Sequence, residues 1–78
     1  MKIGTVTGAV WATRKVSSLQ GQTFLVVKTD DGVMVAADCV GAGAGDRVLV
    51  AFGNTARHCC ENAPVDAAVV AIVDTKKE

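Results

Sequence analysis

Short apolar runs separated by turn-forming residues constrain the fold of this chain more than any other feature. Within 78 residues, runs rich in valine and alanine alternate with clusters of Gly, Asp, Asn and Ser. Runs of this kind, bounded by such clusters, are typical of β-strands. We predict strands over residues 2–12, 22–29, 33–37, 46–52 and 65–73, and a short helix over residues 56–60. This set of elements indicates an all-β fold, a small five-stranded OB-like β-barrel with one short helix.

Turn chemistry sets the boundaries of these predicted elements. Asp30-Asp31-Gly32 lies between two apolar runs, which predicts a tight hairpin. Residues 41–45 alternate Gly and Ala and predict a loop before the fourth strand. Gly4 and Gly8 inside the first strand indicate bends or a close backbone approach. Residues 53–55 predict the end of the fourth strand followed by a helix N-cap from Asn54 or Thr55.

The length and the apolar content favour self-association of a single domain over residues 1–78. A chain of this size buries only about 60–65% of its unfolded surface, so its own core is small. Half of the residues are apolar, and residues 67–73 show no polar alternation. A strand without polar alternation is covered on both faces. Because only one face of a strand can point into so small a barrel, we expect a neighbouring subunit to cover the other face.

The charge balance argues against nucleic acid as a partner, and the apolar pattern argues against a membrane. Eight Lys and Arg residues offset eight Asp and Glu residues, and no basic block is present. Nucleic-acid binders depend on a basic face that neutralises phosphates. The longest apolar run, residues 67–73, is far shorter than a membrane span, and the N-terminus lacks the pattern of a secretory signal. We therefore expect an intracellular protein with free thiols at Cys39, Cys59 and Cys60.

Motifs that suggest chemistry lack the residues that the chemistry needs. Residues 41–45 do not have the spacing of a dinucleotide fingerprint, and a strand follows them where a helix is required. His58-Cys59-Cys60 supplies too few ligands for structural zinc, and adjacent cysteines on a helical turn point in different directions. His58 is the only histidine, and it is the sequence neighbour of Cys59, whereas a nucleophile–base pair is normally assembled across the fold with a third orienting group. We predict no catalytic residue, no metal site and no cofactor.

Arg57 on the predicted helix and Asp66 after Pro64 have two interpretations. Both charges can simply face solvent, as most charged side chains do. Alternatively, Arg57 makes charge-assisted hydrogen bonds to a carboxylate or to backbone carbonyls across a subunit boundary. Asp66 is one candidate for that partner. Pro64 would then fix the entry of the chain into the last strand.

Taken together, these segments resemble the EutN/CcmL-type vertex proteins of bacterial microcompartments, including carboxysomes. The resemblance covers residues 1–3, 6–8, 36–38, 40–43, 47–50, 53–57 and 64–74. It implies a β-barrel that assembles into a homopentameric ring at the five-fold vertices of a polyhedral shell. The implied partners are further copies of the chain and hexameric shell tiles, and the implied location is the microcompartment shell in the bacterial cytoplasm.

The resemblance also implies which residues lie near subunit or shell boundaries. These residues are Gly41, Ala42, Gly43, Ala56, Arg57, Pro64, Val65 and Asp66. The alternative function is an OB-like module that binds single-stranded nucleic acid. That function requires aromatic stacking platforms beside a basic groove, and Trp11 and Phe24 are the candidate platforms.

Overall fold

The chain folds into a set of short strands and one α-helix within residues 1–61 and 63–74, the part that the computed structural model describes. The strands are β1 (Lys2–Val10), β2 (Phe24–Thr29), β3 (Gly32–Asp38), β4 (Arg47–Phe52) and β5 (Ala67–Ile72). The helix α1 covers Gly53–Cys59, and a 3₁₀ turn covers Ser17–Leu19. The predicted all-β architecture with one short helix is confirmed. None of the helices in these residues has the length and the apolar character needed to cross a bilayer.

The strands form a closed barrel in the order β1-β2-β3-β5-β4, in which β1 also pairs with β4. Neighbouring strands are antiparallel except β3 and β5, which are parallel through Ala37–Ala68 and Asp38–Val69. A parallel pair needs a crossover connection. The loop at residues 41–45, called the glycine loop below, provides it together with β4 and α1. The predicted hairpin is confirmed, because Thr29 pairs with Gly32 across a two-residue turn.

Valines fill the barrel, which explains a core without aromatic residues. Val6, Val27, Val48, Val50 and Val69 are at most 1% exposed and pack together. They point inward because successive side chains of a strand alternate between its faces. A narrow barrel leaves room for such branched side chains and for little else.

A second apolar cluster lies outside the barrel, between β5 and α1. Ala56 of the helix and Ala68 of β5 are both fully buried and pack with Ala37 and Cys60. The prediction that a neighbouring subunit covers the outer face of residues 67–73 is therefore wrong for the first half of the strand. The chain's own helix covers that half, because alanines on both elements allow a close approach. The second half remains more open, and Ile72 is 50% exposed.

The two glycines of β1 have different roles. A Cβ atom on Gly4 would lie 2.6 Å from Val27 Cγ1 and 2.8 Å from the Lys28 carbonyl oxygen, so the predicted close approach is confirmed there. Gly8 lies at a shift in register between β1 and β2. The strand ends at Val10, two residues earlier than predicted. Trp11 consequently lies outside it and is 89% exposed.

The start of α1 differs from the prediction. The helix begins at Gly53 itself, with Phe52 in the N-cap position and no side-chain cap. The predicted N-cap at Asn54 or Thr55 is wrong, because both residues lie inside the helix. The physical reason is that Gly53 adopts a positive φ of 62° and donates its N–H to the Asp66 carbonyl at 3.0 Å. The chain thus turns directly from β4 into the helix.

Candidate assembly surface

Helix α1 and the segment after it bring several of the predicted site residues together. Asn54, Arg57, His58 and Pro64 line one shallow groove. Arg57 is exposed, and its Nη2 donates a hydrogen bond to Asn54 Oδ1 one turn earlier. Within residues 1–61 and 63–74, ion pairs join only Lys2 to Asp30 and Asp31. The guanidinium of Arg57 therefore has N–H donors left for a partner outside the chain.

Pro64, Val65 and Asp66 lie on a second groove beside the first residues of β5. Phe24 and Val35 line this groove as well. Val65 is half-buried against the second apolar cluster, whereas Asp66 is exposed. The carboxylate of Asp66 does not pair with Arg57 in the described part of the chain. The predicted pairing of these two charges remains a prediction about different subunits.

Ala56 differs from the other predicted site residues because its side chain is fully buried within the chain. It packs against β5 and cannot contact a neighbouring molecule. Its effect on a subunit boundary would be indirect. Ala56 fixes the position of α1 and therefore the position of Arg57, the next residue of the helix. A larger side chain here would push α1 away from β5.

Asp38 holds the glycine loop, a role that the sequence analysis missed. Its Oδ1 accepts hydrogen bonds from the N–H groups of Val40 and Gly41, each at 3.1 Å, and of Ala42 at 3.3 Å. Asp46 Oδ2 accepts the Gly43 N–H at 2.8 Å. An aspartate shortly before a glycine favours such turns, so the signal was present in the sequence. Because carboxylates already occupy these amides, they are not free to bind a phosphate.

The glycine loop also closes one end of the barrel. Ala42 is half-buried and packs against the valine core. The Gly45 N–H donates to the Val6 carbonyl at 2.8 Å, and the Val6 N–H donates to the Asp46 carbonyl at 2.9 Å. Gly41 and Gly43 are exposed on the outer side of the glycine loop. The loop is thus a firmly attached part of the surface.

Cys39 and Cys60 form a disulfide, so the expectation of free thiols is wrong for this pair. Their Cα atoms are 6.2 Å apart, although the residues are 21 positions apart in sequence. The barrel brings them together because Cys39 follows β3, which lies beside β5, and α1 packs on β5. Cys59 is free and exposed. No group of three or more metal-ligating side chains occurs in the part of the chain that the structure describes.

The cationic and aromatic groups required by the nucleic-acid alternative do not share a groove. Lys2, Lys28 and Arg47 line one groove, which includes neither Trp11 nor Phe24. The pKa of Lys2 is raised, chiefly by its hydrogen bond to Asp31. Phe24 packs against the second apolar cluster and is only partly accessible. Single-strand binding needs stacking platforms along a basic path, and these described residues do not form one.

The fold and this surface place the chain in a class of small OB-type barrels. In this class a short helix covers the last strand and a glycine loop closes one end of the barrel. Comparison with known proteins then identifies the family. The model of the family described as "Ethanolamine utilisation protein EutN/carboxysome" matches residues 1–74. The chain belongs to this EutN/CcmL family, and the resemblance noted in the sequence is confirmed.

Relatives extend over nearly the whole chain. The carboxysome shell vertex protein CcmL of Synechococcus elongatus is 49% identical in an alignment of 84 positions. The alignment covers 96% of this chain and 85% of the relative. The microcompartment shell vertex protein PduN of Salmonella typhimurium is 43% identical, with 96% and 97% covered. Among solved structures, the pentameric microcompartment shell protein GrpN of Rhodospirillum rubrum superposes with a TM-score of 0.87 at 41% identity, with 100% and 99% covered.

Proposed function

We propose that this chain is a structural shell protein of a bacterial microcompartment in the cytoplasm, without catalytic activity. It forms homopentamers that occupy the five-fold vertices of the shell and contact hexameric shell tiles. The observation that carries this proposal is the likeness to the pentameric GrpN shell protein along the full length of both chains. Hexagonal units alone form flat layers, and a layer closes into a polyhedron only where five-fold units are inserted. A pentamer at these positions therefore allows the shell to close.

Exposed apolar residues on two sides of the barrel support association into a ring. Val33 and Val35 on β3 are 69% and 50% exposed, and Ile3 on β1 and Ile72 on β5 are 49% and 50% exposed. Exposed apolar side chains that lie together on a surface mark sites of protein contact. A ring of identical subunits needs two different surfaces on each subunit, because its contacts are head-to-tail. The β3 side and the β1 side of the barrel meet this requirement.

Polar groups at the edge of these surfaces would orient the contacts. In our proposal Arg57 donates to a carboxylate or backbone carbonyl of an adjacent subunit or tile, and Asp66 is a candidate acceptor. Gly41, Ala42 and Gly43 form a rigid loop at the boundary, and Pro64 and Val65 hold Asp66 in place. Ala56 contributes by fixing the helix that carries Arg57.

Native mass spectrometry of the whole chain tests the pentamer. A chain of 8.0 kDa predicts a complex of about 40 kDa, the mass of five copies. A folded species that stays at the mass of one chain at micromolar concentration would overturn the proposal. Co-expression with a hexameric shell protein, followed by isolation of closed shells, tests the vertex role. Shells that close without this chain, and exclude it when it is present, would contradict that role.

The variant Arg57→Ala tests the assigned orienting residue, with Arg14→Ala as its control. Both arginines are exposed, but only Arg57 lies on the candidate surface. We expect Arg57→Ala to weaken pentamer formation or shell incorporation about 30-fold or more, because truncating one partner of a hydrogen-bonded interface charge costs about 2 kcal/mol or more. The circular dichroism of the folded barrel should be unchanged. Equal assembly of both variants would remove Arg57 from the interface.

A further inference from the structure

The Cys39–Cys60 disulfide joins two parts of the candidate assembly surface. Cys39 directly follows Asp38, the residue whose carboxylate holds the glycine loop. Cys60 is the C-cap of α1, and its N–H donates to the carbonyls of Ala56 and Arg57 at 3.1 Å. The bond therefore fixes the helix that carries Arg57 to the loop that closes the barrel. It is the only disulfide among the described residues, and it adds a direct cross-link to the path of the backbone through β4.

The two cysteine residues differ in exposure. Cys60 is only 6% exposed within the cluster between α1 and β5, whereas Cys39 is exposed. Both residues line a solvent-open groove together with Cys59, Gln22 and Glu61. A dissolved thiol can thus reach the bond from the Cys39 side. Cys59 lies in the same groove, is exposed and forms no disulfide. It is therefore a control for the effects of a thiol that does not take part in the bond.

We propose that the Cys39–Cys60 pair is a reversible redox staple that controls how firmly α1 and the glycine loop are held together. Its effect on assembly rests on the proposed function, since both parts belong to the candidate surface. In a reducing cytosol disulfides are normally opened. The staple would then be open when the chain is made and would close when the chain meets an oxidising small-molecule disulfide.

The exchange chemistry is balanced by a small thiol and its disulfide. In the opening direction, a thiolate attacks Cys39 Sγ, the Cys39–Cys60 bond breaks, and Cys60 leaves as a thiolate that takes up a proton. A second small thiol then attacks the mixed disulfide and releases Cys39 as a thiol and the small molecules as their disulfide. Closure follows the reverse path. Two electrons pass from the protein thiols to the small disulfide, which is reduced to two thiols.

The closed staple should stabilise the folded chain and protect the loop. A bond that closes a span of 21 residues restricts the unfolded chain, and bonds of this span shift the midpoint of thermal unfolding by roughly 12–24 °C in a domain of this size. Local opening of the loop also becomes rarer. We expect the amides of Val40, Gly41 and Ala42 to exchange hydrogen about tenfold more slowly in the oxidised chain.

The experiment compares the full chain after treatment with oxidised glutathione and after treatment with dithiothreitol, at one fixed protein concentration. The variants are Cys39→Ser and Cys59→Ser. Cys39 is chosen because it is exposed, whereas a serine at buried Cys60 would itself disturb the cluster. The expected result is a mass lower by two hydrogen atoms, a Cys39–Cys60 peptide, a higher midpoint and slower loop exchange in the oxidised wild type and in Cys59→Ser. Cys39→Ser should show none of the differences in midpoint and exchange.

Two results would overturn the staple: failure of the oxidised chain to form the Cys39–Cys60 peptide, or formation of this peptide with no change in midpoint or loop exchange. Native mass spectrometry of the same samples is a separate readout. A monomer under both conditions would overturn the proposed function, whereas the peptide, midpoint and exchange data would still decide the staple. A pentamer that resists dilution equally in both states would overturn the coupling of the staple to assembly.

Discussion

Replacing Gly4 with alanine should destabilise the barrel strongly, because β1 and β2 approach each other most closely at this residue. The new methyl group would lie 2.6 Å from Val27 Cγ1 and 2.8 Å from the carbonyl oxygen of Lys28. Val27 is fully buried in the valine core, so its side chain has no free space to enter. The carbonyl oxygen belongs to β2, which is paired with both β1 and β3. Relief therefore requires the movement of a strand.

The size of the effect follows from these contacts. Overpacking a well-packed core costs about 1–3 kcal/mol, and we expect the upper end of this range because a backbone atom must move. In a domain of this size, about 3 kcal/mol corresponds to a decrease of roughly 12–24 °C in the midpoint of thermal unfolding. The measurement is thermal unfolding followed by circular dichroism, at a fixed concentration because association shifts the midpoint.

Gly8→Ala is the matched control for Gly4→Ala. Gly8 lies on the same strand, no heavy atom lies within 4 Å of the position that an added Cβ would take, and its φ is not positive. We expect its free energy of unfolding to change by less than about 1 kcal/mol, since a glycine at an unstrained position tolerates alanine. Equal midpoints for the two variants would refute the close approach of β1 and β2 at Gly4.

Two further variants test the loop and the surface ion pair. Asp38→Ala should lower the free energy of unfolding by about 1–3 kcal/mol, because the loop amides lose their acceptor. Asp38→Asn keeps an acceptor oxygen and should recover part of this loss. Equal losses in the two variants would show that the acceptor oxygen does not stabilise the loop. Lys2→Met should move the midpoint at pH 7 by only a few degrees, because Lys2 and its carboxylate partners are solvent-accessible and surface ion pairs contribute little. Since the folded pKa of Lys2 is raised above 10.5, the stability contributed by this pair is complete below that pH and is lost as the pH rises through the folded pKa. A large effect of Lys2→Met at neutral pH would contradict this assignment.

The parts of the fold that the sequence predicted correctly depend on local residue chemistry. The hairpin between β2 and β3 follows from Asp30-Asp31-Gly32, and Gly32 adopts the φ of 126° that only glycine accepts readily. Gly4 indicated the close approach because a missing side chain inside a strand needs a reason. The Gly-Ala alternation of residues 41–45 predicted a loop, and Gly41 and Gly45 have positive φ values of 77° and 92°. Each of these predictions needed only residues within a few positions.

The features that the sequence did not predict depend on contacts between distant segments. Residues 67–73 required a cover on two faces, but the sequence could not distinguish a neighbouring subunit from a helix of the same chain. The answer depends on the contact between Ala56 and Ala68, which are distant in sequence and pack together in the folded chain. The Cys39–Cys60 bond depends on the same arrangement. For the same reason, the sequence did not show that Ala56 points into the chain while Arg57, the next residue, points outward. That difference depends on which face of α1 packs against β5.

The charge balance of the chain bears on how a ring would close. A net charge of zero means that identical subunits do not repel one another as whole bodies. The exposed valines and isoleucines supply attraction, but apolar attraction has no direction. Direction must come from polar groups with defined geometry, and the planar guanidinium of Arg57 is suited to this role. We infer that Arg57→Ala, besides weakening the pentamer, would loosen the geometry of assembly, so that native mass spectrometry should show irregular oligomers where the wild type forms one defined ring.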